Sequence, residues 1–409
     1  MPSRRTFLQT ALGSSTLLSM GLTAPQFLAR SALASSAGTG EKVLVVVQLS
    51  GGNDGLNTVI PYADEAYAKN RIVLRIPSEQ VLKIDSQLGL HPSLAGFRKL
   101  VEDQRLAIVQ GVGYPNPDRS HFRSMDIWHT AKPEVEDKRD GWLGRCLDCS
   151  PHGVGGDVPA LHLGANPSPL ALASLKTAVP SIESLESFRL RTDGGSLPLP
   201  SLSRLAEAAR PDAPELLQFM RQSTLYAYTS SQEVQEVLKQ EREATGYPNS
   251  ALAQKLRQIA QLIDAGLKTR IYYVSHDGFD THANQLGGHA ALLTELSAGV
   301  SAFVDDLARR SQLDRVLVLC FSEFGRRVRE NASQGTDHGT AAPVFLAGGR
   351  VQSGVIGAQP SLTDLDGEGD LKFHTDFRRL YATLLEGWLG CPAEPVLGSR
   401  FESLPLIKT

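Results

Sequence analysis

Acidic and imidazole side chains stand next to several short apolar segments of this 409-residue chain. Carboxylates and imidazoles are ligands that zinc prefers, and sites rich in carboxylates take manganese, magnesium or calcium. The pattern therefore predicts a site for one or two divalent metal ions, with zinc as the leading choice. The predicted ligands are Asp54 in SGGND, Asp280 and His282 in HDGFDTH, Glu323 in SEFGRR, and His338 in GTDHGTAA.

Within HDGFDTH, two carboxylates compete for the role of metal ligand. Asp280 and His282 are two residues apart in a predicted turn, so both can reach one ion. Asp277 is the alternative to Asp280. Taken singly, an aspartate after Gly-Gly-Asn, such as Asp54, more often bonds its own backbone in a turn. It is the combined set that favours a site.

The segment NPDRSHFRSMDIWHT, residues 116–130, offers a nucleophile. Ser120 lies between Arg119 and His121, after an apolar segment and before a predicted helix. A hydroxyl at a helix start, beside cationic groups and a metal ion, can ionise and attack phosphorus or sulfur. Arg119 and Arg123 can hold a tetrahedral anion through forked hydrogen bonds. We therefore predict catalytic roles for the serine and these two arginines.

Two alternatives remain for this segment. Ser120 can serve only as the cap of the helix, since serine is a preferred residue at that position. Ser124 and Thr130 are the other hydroxyls that can act as the nucleophile.

Apolar segments alternate with helical patterns along the chain, which predicts a mostly parallel sheet covered by helices on both faces. In such a sheet ligands bind beyond the carboxyl ends of the strands, where the acidic and imidazole side chains lie. We expect a three-layer αβα sandwich. The predicted strands are Val43–Leu49, Leu106–Gln110, Arg270–Ser275, Val316–Phe321 and Pro343–Ala347. The predicted helices include Leu94–Glu102, His289–Arg310 and Asp376–Leu389.

Residues 1–34 predict a twin-arginine signal peptide. SRRTFL is followed by a weakly apolar run, and Ala32 and Ala34 form an A-x-A cleavage site. We expect export in the folded state to the periplasm or the extracellular space, with the twin-arginine translocase as a partner. Residues 35–409 predict a single α/β domain with a helical insert at about 165–250, where Pro- and Ser-rich sequence changes to a polar helical pattern.

Composition excludes several classes of function. The formal net charge is −3, and residues 1–34 contain three arginines and no acid, so the rest of the chain is more acidic still. Such a chain offers no basic surface for nucleic acid. No segment after the first 34 residues has about 18 consecutive apolar residues, so we expect no membrane span. Cys146 and Cys149 form CLDC, which predicts a local disulfide or an inert structural pair.

Taken together, the motifs resemble a bacterial family catalogued only as a domain of unknown function. The resemblance is carried by the twin-arginine start and by LSGGNDGLNTVIPY, RSHFRSMDIWHT, GFDTHANQ, FSEFGRR and GTDHGTAAPVFLAGG, which span nearly the whole mature chain. That family is similar in turn to the alkaline phosphatase and sulfatase superfamily, which implies an alkaline-phosphatase-like fold.

The superfamily resemblance also implies a role for each candidate residue. Asp54 matches a metal-ligand Asp after the first strand, Ser120 a nucleophile at a helix start, Asp280 and His282 the Asp and His of the first metal site, Glu323 an acid of the second site, and His338 the His that closes the first site. The chain departs from the superfamily at Phe324, where a His ligand is common. CSPHG, residues 149–153, also lacks the Arg of the sulfatase C-x-P-x-R motif.

The sequence thus predicts an exported, metal-dependent hydrolase of small-molecule or glycan phosphate, sulfate or related esters. The alternative is a non-catalytic exported protein that binds a metal ion or an anionic glycan for the cell envelope, which Phe324 favours. A third hypothesis is a thiol oxidoreductase that uses Cys146 and Cys149.

Overall fold

The structure is a computed structural model that describes residues 41–134, 139–149, 158–164, 167–183 and 246–408. The predicted signal peptide, residues 1–34, and most of the predicted insert at about 165–250 lie outside the described residues. The fold that follows is therefore that of the α/β part of the chain.

Nine described strands form one sheet and three form a small second sheet. The strands are β1 (Val43–Ser50), β2 (Val59–Ile60), β3 (Leu82–Lys83), β4 (Gly89–Leu90), β5 (Leu106–Gly113), β6 (Ala160–Leu163), β7 (Ser181–Ile182), β8 (Ile271–Asp277), β9 (Val316–Phe321), β10 (Ala342–Gly348), β11 (Gly354–Ile356) and β12 (Thr375–Asp376). The order in the main sheet is β11-β5-β10-β9-β1-β8-β6-β7, with β12 also paired to β5, and the small sheet is β2-β4-β3.

One strand of the main sheet runs against all the others. β10 is antiparallel to both of its neighbours, β5 and β9, whereas the remaining pairs of the main sheet are parallel. The carboxyl ends of β1, β5, β8 and β9 therefore lie at one edge of the sheet. Because β10 is reversed, its first residue lies at that same edge.

Helices cover both faces of the sheet. Helices α2, α5 and α6 pack on one face and helices α3, α4, α7 and α8 on the other, while α1 packs with the small sheet. The helices are α1 (Glu65–Asn70), α2 (Ala95–Glu102), α3 (His121–Thr130), α4 (Trp142–Cys149), α5 (Ala251–Asp264), α6 (Gln285–Arg309), α7 (Phe377–Leu384) and α8 (Ala393–Leu397).

The central strand β1 is apolar on both sides because both of its faces are covered. Val45 and Val47 belong to the core cluster beneath α6, and Leu44 and Val46 belong to the cluster on the opposite face. Alternate side chains of a strand point to opposite faces, so a run of branched apolar residues fits this position.

Stacked aromatic rings fix helix α3 against the sheet and helix α7. Trp128 stacks on Phe321 at 5.0 Å and on Phe377 at 4.5 Å between ring centroids. The Tyr381 hydroxyl donates a hydrogen bond to the carbonyl oxygen of Trp128 at 3.0 Å. These contacts hold the helix that begins at His121, and so they set the position of that ring.

The predicted fold class is confirmed, with a mostly parallel sheet between two layers of helices. All five predicted strands are present, although β5 continues to Gly113. The helix predicted from His289 begins earlier, at Gln285, because Gly287 and Gly288 interrupt the apolar pattern without ending the helix. No helix among the described residues is long and apolar enough to cross a membrane.

Candidate metal centre

A cluster of imidazoles surrounds one carboxylate at the edge where β1, β5, β8 and β9 end. Asp280 and His282 follow β8, and His121 is the first residue of α3, after β5. His338 lies in the segment before β10, which reaches the same edge because that strand is reversed. Three segments that are distant in sequence therefore contribute to one site.

Asp280 Oδ1 is the centre of the cluster. It lies 3.0 Å from Nε2 of His282, 3.1 Å from Nε2 of His338 and 3.4 Å from Nε2 of His121. One ligand atom from each of His121, Asp280 and His338 lies within 4.8 Å of the others. Small side-chain movements would bring these atoms to the distance of about 2 Å at which such ligands bind zinc.

The other nitrogen of each imidazole has a hydrogen-bond acceptor as its partner. The partners are the Arg119 carbonyl oxygen for His338 at 2.7 Å, Asp337 Oδ1 for His282 at 3.2 Å, and Glu323 Oε1 for His121 at 2.9 Å. In a neutral ring, a proton on Nδ1 would satisfy this acceptor and leave the lone pair of Nε2 facing the cluster. Metal-binding histidines are commonly oriented by a partner of this kind.

Two features of the cluster fit a bound cation. The Nε2 atoms of His282 and His338 are only 2.9 Å apart, and two facing lone pairs repel unless a proton or a cation lies near both. Nε2 of His121 is buried without a hydrogen-bond partner among the described residues. Buried polar atoms are rarely left unpaired, so a ligand for this nitrogen is expected.

Three imidazole nitrogens and one carboxylate oxygen make a donor set suited to zinc, which takes nitrogen and oxygen ligands in tetrahedral geometry. Manganese also accepts such mixed sites. Magnesium and calcium fit less well, because they prefer sites made of oxygen ligands. Of the predicted ligands, Asp280, His282 and His338 lie together here.

His121 was not predicted as a ligand, although it lies beside Ser120. The available signal was its position after β5, at the edge that carries the other candidates. A single histidine in sequence does not show which way its ring points. The orientation is set by Glu323, which accepts from Nδ1 of the ring.

Glu323 is buried and serves the cluster through His121. Its Oε1 accepts hydrogen bonds from His121 and from the Gly51 backbone N–H, at 2.9 and 2.8 Å. Its Oε2 accepts from the Ser322 hydroxyl at 3.1 Å. The hydrogen bond that His121 donates to Glu323 raises the pKa of His121 above its usual value, despite partial burial. The carboxylate of Glu323 thus orients the imidazole of His121 and is not itself one of the groups around Asp280.

Arg326 is fully buried and joins the loops of the site. Its guanidinium donates to Asp280 Oδ1 at 2.7 Å and to the backbone carbonyl oxygens of the surrounding loops. Those carbonyls belong to Gly51, Gly52, Phe279 and Thr336. Burial opposes ionisation of Asp280, but the hydrogen bonds from Arg326 and His338 outweigh it and lower the pKa of Asp280 to about 2.

Asp54 lies outside the cluster, in a buried ion pair. Arg71 donates to both of its oxygens, at 2.5 and 3.0 Å, and Gln285 Nε2 donates to Oδ2 at 2.5 Å. Burial opposes ionisation, but Arg71 outweighs it and lowers the pKa of Asp54. This carboxylate is neutralised by a guanidinium, so its oxygens make none of the contacts of the imidazole cluster.

Ser120 is exposed at the start of α3, directly before His121. Its hydroxyl makes no capping hydrogen bond, and its backbone N–H donates to Asp118 at 2.7 Å. The alternative that Ser120 only caps the helix therefore has no support in its contacts. Among the described residues its hydroxyl makes no hydrogen bond, and the residue directly precedes His121 of the cluster.

The two predicted anion-binding arginines have protein partners. Arg119 forms a fork with Asp370, with Nε at 2.7 Å, and lies 3.5 Å from Asp366. Arg123 donates to the carbonyl oxygen of Pro133 at 2.6 Å. Arg119 reaches the cluster through its own carbonyl oxygen, which accepts from His338.

The remaining alternatives are placed elsewhere. Asp277 is exposed at the end of β8 and makes none of the cluster's contacts, so Asp280 is the carboxylate of HDGFDTH in the cluster. The Ser124 hydroxyl donates to the Glu323 carbonyl oxygen at 2.5 Å, and the Thr130 hydroxyl donates to its own helix.

Phe324 lies against the cluster and is buried. Its ring centroid is 5.0 Å from that of His121 and 4.7 Å from that of His338. The phenyl ring fills the space beside these imidazoles and supplies no metal ligand. The departure from the superfamily pattern at this position is therefore a packing contact in this chain.

The glycines that end β1 allow the loops to approach closely. Gly51 has φ of +120°, and a Cβ there would lie 2.3 Å from the backbone nitrogen of Asp280. A side chain at this position would push Asp280 away from the imidazoles.

We predict that Gly51→Ala lowers the free energy of unfolding by about 2 kcal/mol or more and weakens metal binding, since it combines backbone strain with a clash. Urea unfolding and metal titration measure the two effects. Gly266→Ala is the control, because Gly266 has φ of +81° and nothing within 4 Å of its Cβ position. Equal effects of the two substitutions on metal affinity would contradict the close approach.

We predict that Asp54→Asn lowers the free energy of unfolding by about 3–5 kcal/mol, because it leaves Arg71 buried without its counter-charge. Glu65→Gln removes the exposed pair with Lys69 and is expected to cost less than about 1 kcal/mol. Both are measured by denaturant unfolding at neutral pH.

The same pair predicts a pH dependence. The pKa of Asp54 is lower in the folded state than its ordinary value of 3.8, so its stabilisation is complete above pH 3.8 and is lost as the pH falls through the folded-state pKa. The difference in unfolding free energy between the wild type and Asp54→Asn should therefore shrink below about pH 4. A difference that stays constant down to pH 2 would contradict this assignment.

The family described as "Protein of unknown function (DUF1501)" matches residues 41–389, most of the chain, so the chain belongs to it. The predicted membership in a family of unknown function is confirmed. No curated protein matches the sequence.

Solved structures give distant similarities. The PsFucS1 sulfatase from Pseudoalteromonas sp. is 10% identical, with a TM-score of 0.38 over 92% of this chain and 73% of the other. The phosphonate monoester hydrolase SpPMH from Silicibacter pomeroyi is 11% identical, with a TM-score of 0.36 over 89% and 78%. The C-terminal periplasmic domain of EcEptC from Escherichia coli, in a complex with zinc, is 8% identical, with a TM-score of 0.36 over 76% and 73%.

Proposed function

We propose that this member of the DUF1501 family is an exported, metal-dependent hydrolase of phosphate, sulfate or related esters that uses Ser120 as its nucleophile. The observation that carries the proposal is the convergence of three imidazole Nε2 atoms on Asp280, beside a free serine hydroxyl at a helix start. Export rests on the twin-arginine sequence within residues 1–34.

Asp280, His282, His338 and His121 would hold one divalent ion, with zinc favoured by the donor set. A bound ion of this kind supplies a Lewis acid that stabilises negative charge on the transferred group and on the attacking oxygen. Among the predicted ligands, Asp54 is already paired with Arg71. Glu323 is already bonded by His121 and Gly51. Their existing partners favour one ion over two.

Ser120 would carry out the covalent step. Its Oγ would lose a proton and bond to phosphorus or sulfur, while the bond from that atom to the ester oxygen breaks and the alcohol leaves with a proton. Water would then release phosphate or sulfate and restore the serine. The first-turn N–H groups of α3 also favour negative charge at this position.

The transferred anion needs a cation with free donors. Arg119 and Arg123 were predicted for this role, but Asp370 and Pro133 accept from their guanidinium groups. Arg327 makes no side-chain hydrogen bond among the described residues, although its Nε lies 3.8 Å from Asp370 Oδ1 in an ion pair, and its side chain is 40% exposed. We add Arg327 to the proposed anion-binding residues, while Arg119 positions His338 through its carbonyl oxygen.

A non-catalytic metal- or glycan-binding protein of the cell envelope is the second candidate. The ring of Phe324 against His121 and His338 favours it, because this residue adds no ligand for a second ion. The two proposals share the metal site and differ in turnover.

The first prediction from this proposal concerns metal content. We expect the purified wild type to contain about one equivalent of divalent metal, and Asp280→Asn and His338→Gln to lose it, because each removes a ligand from the cluster. Elemental analysis of the folded protein measures the content. Asp277→Asn is the matched control, since Asp277 is exposed and outside the cluster. A metal-free wild type, or an equal loss of metal in Asp277→Asn, would contradict the proposed metal site.

The second prediction concerns turnover. On a panel of generic phosphate and sulfate esters, we expect Ser120→Ala to lower kcat by at least about a hundredfold while it keeps its metal. Ser399→Ala, a change at an exposed serine after α8, should keep wild-type activity. Wild-type turnover in Ser120→Ala would reject the nucleophile. Bound metal without turnover in the wild type would favour the binding protein.

A further inference from the structure

We propose that Cys146 and Cys391 are joined by a disulfide when the protein is in an oxidising compartment. The two residues are 245 positions apart, and the sequence had suggested Cys149 as the partner of Cys146. The inference is independent of the proposed hydrolase activity, since both cysteines lie in the core away from the imidazole cluster.

Cys391 contacts the backbone of Cys146. Cys391 Sγ lies 3.8 Å from the carbonyl oxygen of Cys146. Each thiol also shifts the pKa of the other, which indicates that the two side chains are neighbours. Both residues are buried in the same apolar cluster, so the contact is shielded from water. A disulfide requires two sulfurs at close range with suitably directed Cβ atoms, and the contact of Cys391 Sγ with the Cys146 carbonyl oxygen brings the two residues to neighbouring positions.

The backbone around the pair is held by other interactions. The Cys391 N–H donates to the carbonyl oxygen of Leu385 at 2.9 Å. Arg145, next to Cys146, donates from Nε to the carbonyl oxygen of Val396 at 2.6 Å. Helix α4 and the C-terminal segment are thus fixed against each other without the sulfurs. These contacts keep Cys146 and Cys391 at neighbouring positions.

Cys149 is in a different environment from Cys146. It is exposed at the last residue of α4, whereas Cys146 faces the core. The hydrogen bond from Cys146 lowers the pKa of Cys391, and that same contact with burial raises the pKa of Cys146. Exchange begins when the thiolate of one of these two cysteines attacks a sulfur of the oxidant's disulfide.

The chemistry is thiol–disulfide exchange with a disulfide oxidant. The two thiols release two protons and two electrons as the sulfur–sulfur bond forms, and the oxidant takes them up as it is reduced to two thiols. The bond would close a loop that includes β6, β8, β9 and β10, and long loops gain most from cross-linking. Secreted proteins commonly keep such bonds.

The test uses the purified wild type, equilibrated with oxidised or reduced glutathione and then alkylated after denaturation. Cleavage before Asp148 separates Cys146 from Cys149, so mass spectrometry can assign the link. We expect the oxidised protein to lose two of its four alkylation sites and to yield a Cys146–Cys391 peptide pair. We also expect the Tm of the oxidised form to exceed that of the reduced form by at least about 3 °C.

Two variants complete the experiment. Cys149→Ser should retain the link and the Tm difference, whereas Cys391→Ser should lose both. Four alkylated thiols in the oxidised wild type, or a link through Cys149, would overturn the proposal. Since the wild type is compared with itself in two redox buffers, the result does not depend on the folding of Cys391→Ser. No step measures hydrolysis, so the outcome is separate from the proposed activity.

Discussion

The buried guanidinium of Arg326 holds the candidate site together. Its donors reach the carbonyl oxygens at the end of β1, the residues after β8 and the segment before β10, as well as the carboxylate of Asp280. A buried charge is costly unless each donor finds an acceptor, and here the loops themselves provide the acceptors. The three loops are therefore held in the arrangement that brings Asp280, His282 and His338 together.

The reversed direction of β10 is the second constraint. In a fully parallel sheet, the segment that precedes a strand lies at the opposite edge from the residues that follow its neighbours. Because β10 is antiparallel to β5 and β9, His338 comes from the amino end of a strand and still meets Asp280, which comes from the carboxyl end of another. The reversed direction of β10 thus brings His338 to the other candidate ligands.

Charge balance separates the two carboxylates that follow β1 and β8. Asp54 is matched by Arg71 within the core, so its charge is already neutralised. Asp280 is half-exposed and faces both Arg326 and three imidazoles that present lone pairs. The carboxylate of Asp280 therefore faces the guanidinium of Arg326 and also the candidate cation site. The acceptors at Nδ1 hold the three rings with Nε2 toward Asp280, which is the orientation that metal binding requires.

The sequence by itself determined the strands and the edge at which the chemistry lies. The branched apolar run of β1 and the periodicity of α6 follow from burial on both faces of a strand and on one face of a helix. The motifs also gave the family, the αβα class and three of the four residues of the cluster. These features depend on local composition and spacing, which sequence records directly.

Only the tertiary structure decided which groups become partners. It placed Arg71 on Asp54, turned the ring of His121 toward Asp280, and brought Cys391 to Cys146. The two members of each pair come from separate segments of the chain. A shift of a few ångströms between those segments decides whether a carboxylate contacts a guanidinium or an imidazole. Strand order, the direction of β10 and the packing of α3 set those distances, and no local pattern contains them.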